Sequence, residues 1–99
     1  MKHIYVHRKG DKESLIKYKN KFEKKSLIKL VSAYNSQVKT GITGVHQQGL
    51  YLIALRSVFI SKIGESPITV DDDIVLGMQD EITIKDGKIK YLDKQKPDQ

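Results

Sequence analysis

The chain has no cysteine. That absence excludes disulfides, thiolate zinc sites and cysteine nucleophiles together, and it fits a reducing compartment. Long apolar runs are also missing. The longest, Leu50 to Leu55, has six residues, far below the roughly 20 needed to span a bilayer. The amino-terminal MKHIYVHRKG carries charge but no apolar stretch of signal-peptide length. A soluble, cytoplasmic protein without membrane contact is the expectation. Arginine is nearly absent too, with two against sixteen lysines. Lysine is the cation less suited to bidentate recognition of phosphates or bases.

What is present is enough for one small domain. Ninety-nine residues, 38% hydrophobic and 30% charged, lie in the globular range. A chain of this length buries roughly 60–65% of its unfolded surface, sufficient for one modest core. The net charge of +6 is unevenly placed. Residues 1–39 hold eleven Lys/Arg against three acids, a balance of +8, whereas residues 40–99 hold seven against nine, a balance of −2. The asymmetry points to an acidic partner, protein or nucleic acid, for the amino-terminal half. A merely solvated lysine face is the plainer account.

The fold class expected is α+β, with residues 1–92 as a single domain and 93–99 as a polar tail. HIYVH (His3–His7) alternates, with Ile4 and Val6 on one face and His3, Tyr5 and His7 on the other, as in a short half-buried strand. Residues 11–23 read as either helix or strand. Helix is favoured because lysines and glutamates dominate and β-branched residues are nearly absent. In that helix Asp11 is the N-cap and Leu15, Tyr18 and Phe22 form the apolar stripe. Ser26 caps a second helix with a stripe through Leu27, Leu30 or Val31, Tyr34 and Val38. Gly41 ends it and Thr43 caps a third, so these two helices should be neighbours.

The third helix, about residues 44–63, has Val45, Gly49, Leu52, Ile53, Phe59, Ile60 and Ile63 in one broad apolar arc with Leu50, Tyr51, Leu55 and Val58 outside it, so it is apolar most of the way round and should be buried on more than one side. Gly49 within it costs about 1 kcal/mol against alanine, which suggests a close crossing there. Gly64 and Pro67 end it. Beyond Pro67 the period changes to two, in Ile68–Val70 and Ile74–Leu76 and then in EITIKDGKIKYL. Asp86-Gly87 is the favoured type I′ hairpin pair. It should place Ile84 opposite Ile89 and Ile82 opposite Tyr91, leaving Lys85 opposite Lys88 and Thr83 opposite Lys90.

Candidate functional residues follow from these placements. Arg56 projects into an apolar arc beside Leu52, Phe59 and Ile60, where a guanidinium must be paired. Asp71, Asp72 or Asp73 are its candidate internal partners; exposure at an interface and direct anion binding are the alternatives. Lys39, Thr40, Thr43 and His46 surround a helix amino terminus, where backbone N–H groups attract anions. The segment is not a Walker A motif, and an ordinary helix–helix connection with a glycine C′ and a threonine cap is the plainer account. Lys85, Lys88 and Lys90 converge on the outer face of the hairpin. No cofactor or metal site is expected. The three histidines lack HExxH spacing, Asp71–Asp73 do not fit a calcium loop, and Ser14, Ser26, Ser32, Ser36, Ser57, Ser61 and Ser66 lack a nucleophile elbow.

Helices followed by a basic hairpin resemble a winged-helix DNA-binding domain. The resemblance implies nucleic-acid binding, with Lys85, Lys88 and Lys90 on the wing. The pattern departs from that family at Gln37, where the family usually has a small residue four before the turn glycine, and at Ser36, Thr40 and Gln47, where apolar support is usual. The third helix also has too little polar surface to enter a groove. The reading that remains is a small non-enzymatic binding protein with an acidic partner. A nucleic-acid binder and a protein-interaction subunit, such as an inhibitor or immunity-type protein or one that self-associates, are the alternatives.

Overall fold

A computed structural model describes residues 2–71 and 75–92. In chain order it has strand β1 (Lys2–Ile4), helices α1 (Asp11–Glu23), α2 (Leu27–Thr40) and α3 (His46–Ile63), and strands β2 (Thr69–Asp71), β3 (Val75–Gly77), β4 (Ile82–Lys85) and β5 (Lys88–Tyr91). This is an α+β arrangement. The strands form two sheets: β1, β3 and β2 in that spatial order, all antiparallel, and the β4–β5 hairpin on its own. No helix among the described residues is long and apolar enough to cross a membrane. The polar tail from Asp93, the expected strand position Ile74, and Asp72 and Asp73 lie outside the described residues.

Local signals fix most of the elements. Residues 11–23 are helical, with Phe22 buried and Leu15 and Tyr18 packed against the core. The Ser26 hydroxyl accepts from the Lys29 amide at 3.3 Å and starts α2 as expected. Gly41 (φ 84°) closes it, with its N–H donating to the Gln37 carbonyl at 2.8 Å. Asp86 and Gly87 both take positive φ, and β4 and β5 pair in the expected register: Ile82 with Tyr91, Thr83 with Lys90, Ile84 with Ile89, Lys85 with Lys88.

The centre of the fold is α3. Leu50, Leu52, Ala54, Leu55, Val58 and Phe59 are all buried on it. Burial this far round one helix needs cover from several sides, and α3 touches α1 most extensively, then α2 and β3. The apolar arc expected from the sequence is corrected in aim. Val45 and Ile60, placed inside it, are exposed, while Leu50, Leu55 and Val58, placed outside it, are core.

Two polar side chains hang the hairpin on α2. The Asn35 amide donates to the Ile82 carbonyl at 2.9 Å, and its oxygen accepts from the Ile82 N–H at 2.8 Å. One side chain thus does for β4 what a neighbouring strand would. Beside it the buried Tyr34 hydroxyl donates to the Asp80 carbonyl at 3.1 Å. On the far side Glu65 accepts from the Ile89 N–H at 2.9 Å.

Candidate functional site

Two groupings of polar residues emerge, one buried and one open. The buried one gathers around Asp11. The sequence places Asp11 at the N-cap of α1, but the cap is Gly10 (φ 89°) and Asp11 is the first helical residue. Its carboxylate turns back to accept from the Arg8 amide at 2.7 Å and from the Tyr5 hydroxyl at 2.5 Å. His46, the first residue of α3, brings Nε2 to 2.9 Å from Oδ1 and 3.1 Å from Oδ2. Tyr5 stacks on the His46 ring, with centroids 5.4 Å apart and planes 16° apart. The more exposed His7 lies 3.9 Å from the same carboxylate.

Burial alone would raise the Asp11 carboxyl, but the hydrogen bonds from Tyr5, His46 and the Arg8 amide override it and hold it at about 2. Burial, then the bond to Asp11, pushes the Tyr5 phenol up to about 12. Near physiological pH the carboxylate is therefore ionised and the phenol is a neutral donor. Beside this group His3 is buried against α3, where a Cβ on Gly49 would lie 2.7 Å from its Nε2. The close approach expected at Gly49 is real, but a histidine ring from β1 makes it rather than a crossing helix. Among the described residues, no group of three or more His, Asp or Glu side chains is arranged to hold a metal ion.

The open grouping lies between α1 and α2. Lys21, Lys25 and Lys29 rim a groove of about 490 Å³ floored by Phe22, Ala33 and Tyr51. Tyr51 packs edge-on against Phe22, with centroids 5.0 Å apart, and against Tyr18 at 5.7 Å. The groove thus sets three lysines beside packed aromatic rings, a combination suited to an anionic group carried on an apolar stem.

The structure disperses the residues singled out from the sequence. Thr40 and Thr43 do share a shallow depression with Tyr18 and Gln47. There Thr43, expected to meet an anion, is already engaged. Both the Thr43 N–H and its hydroxyl donate to Gln48 Oε1, at 2.8 and 3.1 Å. The Gln48 amide nitrogen donates in turn to the Gly41 carbonyl and to Gln37. Thr43 does not cap a helix beginning at residue 44. It accepts from the Val45 N–H at 3.3 Å, and α3 begins at His46 with Val45 as an N-cap lacking a side-chain bond. The connection expected from the glycines and threonines is therefore a glutamine-stapled link.

Lys39 faces a different depression, beside Ile28, Asn35 and Glu81. His46 belongs to the Asp11 cluster. Arg56 is half-buried rather than enclosed, and lines a depression with Ile60, Glu65 and Asp71. Its expected partners Asp72 and Asp73 lie outside the described residues. Lys85, Lys88 and Lys90 are exposed on the hairpin's outer face.

Tyr5, Asp11 and His3 were missed as site residues, although the alternation of HIYVH already places His3, Tyr5 and His7 together. Lys21, Lys25 and Lys29 were missed too: they stand on α1, on the link and on α2, so no helical spacing announces them. No family model matches the chain, and no match is found among curated proteins or solved structures.

Proposed function

We propose that the chain is a non-enzymatic, cytoplasmic binding module that takes an acidic segment of a partner protein into the α1–α2 groove. The observation that carries this reading is the convergence of Lys21, Lys25 and Lys29 over the Phe22–Tyr51 floor. Lysine ammonium groups act as point charges and accept a carboxylate from many directions, whereas guanidinium forks would favour planar phosphate or base recognition. An aromatic floor supplies the apolar contact that a lysine face alone would lack. The uneven charge of the chain, +8 in residues 1–39, steers the same kind of partner to the same half.

Nucleic acid is the second reading, favoured by the exposed Lys85, Lys88 and Lys90 on the hairpin. It is the weaker one, because α3, which would have to enter a groove in a winged-helix arrangement, is the buried centre of this fold.

Fluorescence anisotropy with a labelled glutamate-rich peptide containing aromatic residues, and separately with labelled duplex DNA, tests both readings. The K21Q/K25Q/K29Q variant should weaken peptide binding about tenfold or more, while K85Q/K88Q/K90Q leaves it unchanged. No peptide binding at low salt, or equal loss in both variants, would sink the groove reading. DNA binding that falls steeply with salt and depends on the hairpin lysines would replace it with the second reading.

A further inference from the structure

All three histidines of the chain lie at one junction, where β1 and the residues after it meet the first turns of α1 and α3. They are not equivalent. His46 faces the Asp11 carboxylate at 2.9 Å, so a proton on its ring has a counter-charge. His7 is largely exposed, so a proton on its ring has water. His3 has neither. It is only 5% exposed, and its Nδ1 is buried with no hydrogen-bond partner among the described residues. Its Nε2 edge is pressed against the Gly49 backbone.

We propose that His3 makes this junction an acid-sensitive latch: protonation of its ring releases β1 from β3 and from α3. A protonated imidazole has two N–H donors to satisfy, and among the described residues the Nδ1 side of His3 offers no acceptor. The groups around it add no relief. Against it stand His46 and the uncharged Gly49 from α3 and the apolar Leu76 opposite it on β3; behind His46 lie Tyr5 and His7 of its own segment and Asp11 of α1. Asp11 is the only anion among these, and Tyr5, the Arg8 amide and His46 already occupy it. A charge on His3 is therefore buried and unpaired while β1 stays in place.

The release has a short path. β1 is only three residues long and is an edge strand, paired on one side only, to β3. Ile4 in the strand and Val6 just beyond it are exposed and bury little that would hold it. Short edge elements with few buried contacts are where local opening is least costly. Burial, then the nearby His46, lowers the His3 pKa below its usual 6.5. The sign follows: below about pH 6.5 the released segment takes up the proton more readily than the docked one, so docking weakens as pH falls.

Amide hydrogen exchange on the full chain at pH 7.5 and pH 5, corrected for intrinsic exchange, tests the latch. Protection of β1 and β3 should fall about tenfold or more relative to α2 at the lower pH, and H3F should abolish that difference. Equal protection at both pH values, or the same loss in H3F, overturns the proposal. Should H3F fail to fold, an NMR titration of the His3 ring in the unaltered protein decides. The ring must take up its proton together with the loss of β1–β3 protection; titration while the strand stays paired overturns it.

Discussion

Gly49 tolerates no side chain while His3 keeps its place. An alanine there is worth about 1 kcal/mol more than glycine in a helix, but its Cβ would sit 2.7 Å from His3 Nε2. Overpacking of that kind costs about 1–3 kcal/mol, so the clash outweighs the propensity. G49A should therefore lower stability, and in an H3A background the sign should reverse, with G49A neutral or stabilising. Urea denaturation of the two single variants and the double variant checks it, and additive effects would mean that the two residues do not meet. The sequence placed a close contact at Gly49 through its position in a strong helix. It could not name the contacting group, because that group comes from a strand more than forty residues away. Asp11 was misread for a related reason. An acid at a helix start is a capping signal whether or not a tyrosine and a histidine wait on the same side, and here tertiary partners took the carboxylate.

Elements were legible wherever the cause is local. Ser26, Gly41, Gly64 and Asp86-Gly87 set their boundaries through hydrogen bonds and backbone angles that involve only near neighbours. The aim of the α3 apolar arc was not legible. A single arc assumes one covering layer, whereas α3 is covered by α1, α2 and β3 together. The separation of the sheets was equally hidden, since nothing in EITIKDGKIKYL says that its outer partner is an asparagine on a helix. That asparagine carries a prediction. N35A leaves the Ile82 N–H and C=O without their partners, which costs about 1–3 kcal/mol. The hairpin should lose hydrogen-exchange protection before α1 and α3 do. Uniform loss across the chain would show that the hairpin opens only with the whole fold.

For the molecule as a whole, tyrosines with raised pKa values limit alkaline stability: Tyr51 and Tyr91 are raised by burial, and Tyr34 and Tyr5 most of all. Burial pushes the Tyr34 phenol up to about 12, and Tyr5 is held at about 12. Both pKa values are raised, so between pH 10 and 12 the unfolded chain releases these protons while the folded chain keeps them. Stability is then lost as pH rises through that window. The urea midpoint should fall from pH 9 to pH 11, and by less in a Y5F/Y34F variant. A fall of the same size in that variant would assign the alkaline limit to other groups. At this scale the class of fold was readable from the change of period after Pro67, and the charge asymmetry was readable by counting. The groove that concentrates the charge was not, because it needs the angle between two helices that meet at Lys24–Ser26.

β1 pairs with β3 across some seventy residues of chain. During synthesis, at about 5–20 residues per second, the first strand therefore waits on the order of 4–15 s for its partner to be made. Through that interval Ile4 lacks the strand it will pair with, and close to it and Val6 stand Arg8 and Lys9, charges of the kind that oppose strand-to-strand association between chains.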